Sequence, residues 1–197
     1  MARSADGGPG ARRLAVRVRS ARCRKPSSTE WLQRQLNDPF VAEARRLGYR
    51  SRAAFKLIQL DERFHLLAAG RRVVDLGCAP GGWSQVAVQR VGARGRVVGL
   101  DLTAVDPIPG AALLTGDFRD PATASRLREA LGGAADLVLS DMAAPATGHA
   151  ATDHLRIVAL AEEAFAFAAT ILAPGGAFVA KVFQGGAEGA LLAALKR

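Results

Sequence analysis

The chain has 197 residues, 49% of them hydrophobic and 23% charged, which is enough to bury one core and too apolar for a disordered segment. No apolar run approaches the roughly 18 to 20 residues of a membrane span, and the longest, Ala159 to Leu172, carries Glu162 and Glu163; the reading is a soluble globular protein with no membrane partner. The formal net charge of +9 is uneven, because residues 1–26 hold eight Lys/Arg against Asp6 alone while the remainder holds 19 basic and 17 acidic residues.

That first segment (Arg3, Arg12, Arg13, Arg17, Arg19, Arg22, Arg24 and Lys25) is a cationic arm of the kind that attracts polyanions, nucleic acid foremost. Gly7-Gly8-Pro9-Gly10 makes its start flexible and Pro26 closes it. Its Arg-rich, acid-poor composition matches a mitochondrial presequence, but Val16-Arg17-Val18-Arg19 alternates as a strand does, and no secretory h-region is present. Cys23 and Cys78 read as free thiols in a reducing cytosol. His65, His149 and His154 show no zinc-like spacing with them, so no metal site is expected.

Residues 27–197 form the second region. Ser27-Ser28-Thr29-Glu30 is a capping box that opens a short helix through Leu36. Asp38-Pro39 starts another, which Gly48 ends. Ser51 is expected to cap a third, from Arg52 to Arg63, on which Lys56 alone reads as an ordinary exposed lysine.

From Gly70 the pattern alternates between strand and helix. Strands are predicted at 72–76, 96–101, 112–115, 135–140 and 177–183, and helices at 82–91, 121–131, 153–172 and 187–196. Val-rich strands between helices indicate an α/β fold, a parallel sheet covered on both faces.

The first strand ends at Asp75 and runs into Leu76-Gly77-Cys78-Ala79-Pro80-Gly81-Gly82-Trp83, a turn suited to a nucleotide-type ligand. Ala79 stands where a dinucleotide fingerprint has its second glycine, which argues against a nicotinamide cofactor. Asp101 ends the second strand, 26 residues after Asp75, where a carboxylate accepts from ribose hydroxyls. Asp117 follows the third strand and suits an adenine amino group. Acids at successive strand ends fit a cationic ligand without phosphate, and S-adenosylmethionine is such a ligand. Trp83 either packs beneath the turn or walls the pocket.

Asp141 ends the fourth strand, beside the donor on this reading. Lys181 falls inside the last apolar run, where a buried lysine must be paired or neutral. It either serves chemistry, taking a proton from a ribose hydroxyl, or it snorkels out, or it pairs with Asp141 for stability alone.

These residues resemble a family. Asp75-Leu-Gly-Cys-Ala-Pro-Gly-Gly-Trp83, Gly116-Asp117-Phe-Arg-Asp120, Ser140-Asp141-Met-Ala, Leu172-Ala-Pro-Gly-Gly176, Lys181-Val and Arg50-Ser-Arg-Ala-Ala-Phe-Lys56-Leu are similar to the FtsJ-type (RlmE) ribosomal RNA 2′-O-ribose methyltransferases. The resemblance implies a Rossmann-like class I S-adenosylmethionine-dependent methyltransferase. Its target would be a ribose 2′-hydroxyl, a uridine, in large-subunit 23S-type RNA within the 50S-type subunit. It also implies a cytoplasmic monomer. It carries the catalytic roles onto Lys56, Asp141 and Lys181, with Lys181 as proton acceptor. It carries donor binding onto Gly81, Trp83, Asp101, Asp117 and Asp141, which turns Trp83 toward the pocket. Family members continue past the fifth strand into further strands bearing a glutamate, whereas this sequence stops at Lys196-Arg197; Glu188 is no match, and the C-terminal strands are expected to be missing.

Arg45, Arg46, Arg50 and Arg52 lead toward Lys56 and would form a basic surface for RNA phosphates. Two other readings compete: a ribosome-assembly factor that binds RNA on this fold without catalysis, and a ribose methyltransferase of transfer RNA or messenger RNA caps.

Overall fold

The computed structural model describes residues 36–144, 147–182 and 189–195. The basic arm, the helix opened by Ser27, Phe183, Glu188 and the last two residues lie outside the described residues. The chain divides into two compact units, residues 1–43 and 44–197. Asp38, in the first, opens helix α1 (Pro39–Arg46), whose last three residues are counted with the second; its carboxylate accepts from the Phe40 N–H at 2.8 Å, with proline in the first turn as expected.

The second unit runs α2 (Ala53–Phe64), β1 (Arg72–Leu76), α3 (Gly82–Val91), β2 (Arg96–Asp101), β3 (Ala111–Thr115), α4 (Pro121–Leu131), β4 (Ala135–Ser140), α5 (Ala150–Ala169), β5 (Leu172–Ala180) and α6 (Gly189–Leu195). The strands lie in the order β3-β2-β1-β4-β5, with every pairing parallel. The order reverses between β1 and β4, the place where such sheets open a crevice beyond their carboxyl ends.

Side chains alternate across the sheet and so sort the helices. Val73, Val97, Leu137 and Leu139 pack with Ala54 and Leu57 of α2 and Trp83, Val86 and Val91 of α3. Val74, Leu76, Val98 and Val138 pack with Leu127 and Leu131 of α4 and Ala164 and Ala168 of α5. Both faces are dry, which is why the strands read as continuous apolar runs.

Local chemistry fixes the boundaries. Asp120 accepts from the N–H groups of Ala122 and Thr123 at 3.4 and 2.9 Å, Pro121 starts α4, and Gly132 follows its end. Helix α2 departs from expectation: Ser51 offers no side-chain cap, and its carbonyl instead accepts the Ala54 N–H at 3.3 Å.

The end of the sheet departs further. Helix α5 stops at Ala169, and β5 begins at Leu172 rather than 177 and ends at Ala180 rather than 183. Leu172 pairs with Ala135, the next pairing is Ala177 with Leu137, and the residues between bulge out of register. Pro174, lacking an N–H, tolerates that bulge.

Among the described residues no helix is long and apolar enough to cross a membrane. Leu139 is fully buried between the β1 and β5 partners of its strand. Leu139→Ala should lower the unfolding free energy by about 2–5 kcal/mol, the usual loss for an emptied core leucine, as measured by chemical denaturation.

Candidate active site

The turn after β1 is drawn against the end of β2. The N–H groups of Gly77 and Cys78 donate to the Leu100 carbonyl at 2.8 and 3.2 Å, and the Ala79 N–H donates to Asp101 Oδ2 at 2.9 Å. Gly77 has φ 76°, and a Cβ there would stand 2.5 Å from Met142 Cγ, so only glycine lets the β1 and β4 turns approach so closely. Beyond these turns lies a cavity of about 320 Å³ over the ends of β1 to β4. Gly77, Ala79, Leu102, Phe118 and Met142 line it together with three carboxylates, Asp101, Asp117 and Asp141.

Each carboxylate has a different partner. Asp101 accepts the Thr103 N–H on Oδ1 at 2.8 Å and Ala79 on Oδ2, so two backbone dipoles fix it. Asp117 is clasped by Arg119, whose Nε donates to Oδ1 at 2.9 Å and whose Nη2 donates to Oδ2 at 2.6 Å. Arg119 holds the Asp117 carboxyl below the usual carboxylate range, chiefly by these hydrogen bonds. Glu163 of α5 stands 3.4 Å from the same guanidinium.

Asp141 continues the β4 ladder, its N–H donating to the Leu76 carbonyl at 3.3 Å, while the Lys181 N–H donates to the Ser140 carbonyl at 2.9 Å. The two side chains meet: Lys181 Nζ pairs with Asp141 Oδ1 and lies 3.5 Å from the Asp141 carbonyl. Lys181 follows the last residue of β5 and its side chain is 39% exposed. The expectation of a buried lysine inside the strand is therefore corrected, because the strand ends one residue earlier and leaves the amine at the rim.

Lys56 is exposed on α2, and no ion pair joins it to a described residue. It lies four and eight residues before Leu60 and Phe64, on one helical stripe. Those two line a second, apolar cavity of about 530 Å³ with Ala180 and Val182, the neighbours of Lys181. Lys56 itself lines neither cavity and has no hydrogen bond or ion pair to Asp141 or Lys181. Arg45, Arg46 and Arg52 are exposed, while Arg50 is drawn inward.

Two expected donor positions, Trp83 and Gly81, are absent from the cavity lining, and so is the strand-end acid Asp75. Trp83 is 4% exposed; its indole N–H donates to the Ala53 carbonyl at 2.8 Å, and it packs with Leu57 and Val86. It does not line the cavity. Gly81 is not among the residues lining the cavity either; it packs against Ile108, whose Cδ1 would lie 2.7 Å from a Cβ added there. Asp75, expected among the strand-end acids of the ligand site, turns to the α3 side and accepts from Ser84 Oγ at 2.6 Å.

Sequence reasoning missed Arg119 as a partner. The signal was an arginine two residues past the strand-end acid, within reach of that carboxylate in a tight turn.

Asp75 is fully buried with Oδ1 unpartnered, and burial pushes its carboxyl from 3.8 up to about 7. The unfolded chain releases this proton near 3.8 and the folded chain holds it until about 7. The group's contribution to stability therefore falls as pH rises between those values and levels above them. Asp75→Asn removes the slope, so the variant's stability relative to wild type should improve from pH 4 to 7. Denaturant midpoints taken across that range check it, and a constant difference would contradict the buried, protonated state.

The comparisons with known proteins agree with this geometry. A family model described as FtsJ-like methyltransferase matches residues 49–197. The chain is 63% identical over 202 residues to ribosomal RNA large subunit methyltransferase E of Paramagnetospirillum magneticum, an alignment covering 99% of this chain and 83% of that protein. It is 62% identical over 192 residues to the protein of the same name from Rhodospirillum rubrum, covering 95% and 73%. A crystal structure described as a ribosomal RNA methyltransferase of Plasmodium falciparum superposes with a TM-score of 0.71 at 31% identity, over 75% of this chain and 86% of that one. With a parallel sheet that opens between β1 and β4 and a family match over three quarters of its length, the chain belongs to the FtsJ-like methyltransferase family.

Proposed function

We propose that the chain methylates a ribose 2′-hydroxyl, a uridine, of large-subunit ribosomal RNA within the 50S-type subunit, using S-adenosylmethionine, with Lys181 as proton acceptor. It acts as a cytoplasmic monomer, in which residues 1–26 serve as a basic arm and the remainder as the methyltransferase domain. One observation carries the reading: Asp141 lines the cavity and its carboxylate pairs with the Lys181 amine. A base beside a donor pocket is what transfer to a hydroxyl requires. The names of the relatives supply the substrate class.

The cavity suits the donor. Three carboxylates and the absence of a pyrophosphate fingerprint favour a cation, and about 320 Å³ is within the range for a small ligand. S-adenosylmethionine supplies a methyl group on a positively charged sulfur. Asp101 keeps a lone pair on each oxygen for the ribose hydroxyls. Asp117 accepts the adenine amino group as Arg119 turns toward Glu163, 3.4 Å away. Gly81 and Trp83 contribute through their backbone at the head of α3.

The acceptor ribose enters at the Lys181 rim. With the donor bound, Lys181 in its neutral form would accept the 2′-proton as the ribose oxygen takes the methyl group, and the ammonium so formed would pair with Asp141. Asp141 orients the amine. Lys56 joins Asp141 in orienting and tuning Lys181, and exposed Arg45, Arg46 and Arg52 meet the RNA backbone.

Lys181→Ala should lower the transfer rate by roughly 10²- to 10⁴-fold, the span of a lost general base, while donor binding persists. Lys181→Arg keeps the charge and the pairing with Asp141 and should be nearly as inactive. The assay is transfer of labelled methyl from S-adenosylmethionine to undermethylated large subunits, with free ribosomal RNA, transfer RNA and capped RNA beside them and the 2′-O-methyl group mapped. Near-wild-type transfer by either variant removes Lys181 from its role; labelling confined to transfer RNA or caps replaces the substrate.

A further inference from the structure

The arginine before α2 does something other than meet RNA. The Arg50 guanidinium is within hydrogen-bond reach of three backbone carbonyls: Nη1 donates to Asp106 at 2.7 Å and Pro80 at 3.3 Å, and Nη2 to Pro107 at 2.8 Å. Pro80 belongs to the turn after β1. Asp106 and Pro107 belong to the connection between β2 and β3, residues 102–110, whose root residues Asp101 and Leu102 line the donor cavity. This connection holds Pro107 and Pro109, which have no N–H to offer, and only Ile108 in it is buried. It is pinned at two places, Ile108 against Gly81 and the Arg50 fork across 106–107.

Arg50 is itself held in position. Its N–H donates to Gln85 Oε1 at 2.8 Å, Gln85 Nε2 donates to the Gly48 carbonyl at 3.0 Å, and the Tyr49 hydroxyl donates to Gln89 Oε1 at 3.0 Å. Residues 48–50 are thereby fastened to α3, so the guanidinium reaches the loop with little freedom left to lose. A planar fork with several fixed donors is suited to gathering carbonyls from two chain segments, which a lysine's single amine does poorly.

From this arrangement we infer that Arg50 is a positioning residue of the donor site. It holds the β2–β3 connection against the glycine turn, so that Asp101 and Leu102 stand ready for the donor's ribose and adenine. The inference rests on the donor site proposed above. It differs from the sequence expectation, in which Arg50 contacted RNA phosphate.

The test measures binding of S-adenosylmethionine, the KM for donor and for RNA, and the thermal midpoint for the wild type, Arg50→Gln, Arg50→Lys and Ile108→Ala. Arg50→Gln should raise the donor Kd and KM by roughly tenfold to a hundredfold, the scale of lost charge-assisted hydrogen bonds. Most of the lost turnover should return at saturating donor, and Arg50→Lys should fall between. Ile108→Ala frees the same loop from the other side and should move the donor KM in the same direction, which keeps the test open if Arg50→Gln folds poorly. A raised RNA KM with the donor KM unmoved would overturn the inference in favour of phosphate contact. A lowered thermal midpoint with both KM values unmoved would overturn it in favour of a structural role. Failure of the wild type to bind S-adenosylmethionine would remove the donor site itself, and this inference with it.

Discussion

The site depends on where β1 stops. Leu76, its last residue, pairs with Leu100 on one side and Ser140 on the other. One step on, the Leu100 carbonyl takes the N–H of Gly77 and the Leu76 carbonyl takes that of Asp141. Three parallel strands therefore end at one level, and their next residues diverge around a glycine that leaves no space for a side chain. Asp101 and Asp141 emerge on opposite flanks of the same turn. A one-residue slip in β1 would turn its side chains to the other face and dismantle the cavity.

Gathering four acidic residues near one crevice is costly unless each is compensated. The chain does so in four ways. Backbone N–H groups fix Asp101, an arginine fork holds Asp117, and the Lys181 amine pairs with Asp141. Asp75, behind the turn, is pushed up to about 7 by burial and so carries only part of a charge near neutrality. The Arg119 pair is half exposed and contributes little to stability. Its consequence is directional, since it holds a carboxylate on the cavity wall and leaves a second acid, Glu163, to receive the arginine. The crevice thus keeps enough negative character for a cationic ligand while no acid within it lacks a partner.

Much of this was legible in the sequence. The strands at 72–76, 96–101 and 135–140 and the helices at 82–91 and 121–131 have the bounds that their apolar runs and caps predict, because buried parallel strands and an Asp-Pro helix start leave few alternatives. The last strand was misjudged because Leu172-Ala-Pro-Gly-Gly176 has turn composition, yet an edge position tolerates a bulge within it. Burial of Lys181 was misjudged for the same reason, since a strand-end residue points into a core or out at the rim according to where the ladder stops. Periodicity places Trp83 on a helix without saying which partner its indole takes, and the Ala53 carbonyl decides that. Arg50 is the clearest case. In sequence it stands among exposed arginines, and only the folded β2–β3 connection brings three carbonyls to it.

The cavity and the helix that carries Lys56 are joined by a short stretch of chain. Residues 48–50 are fastened to α3, the Arg50 fork reaches the donor loop, and α2 starts three residues later. The turn into α2 passes beside Gly82 at the head of α3, where a side chain would strike Ser51. One further turn carries Lys56, on the stripe whose next members, Leu60 and Phe64, lie with the residues flanking Lys181. Ala54 and Leu57, at 0% exposure, anchor α2 in the core, so the helix that follows the fork is itself held by close packing. The loop that frames the cavity and the helix that carries Lys56 are therefore ordered by one segment, and on the function proposed above that segment would place donor and acceptor together, as methyl transfer requires.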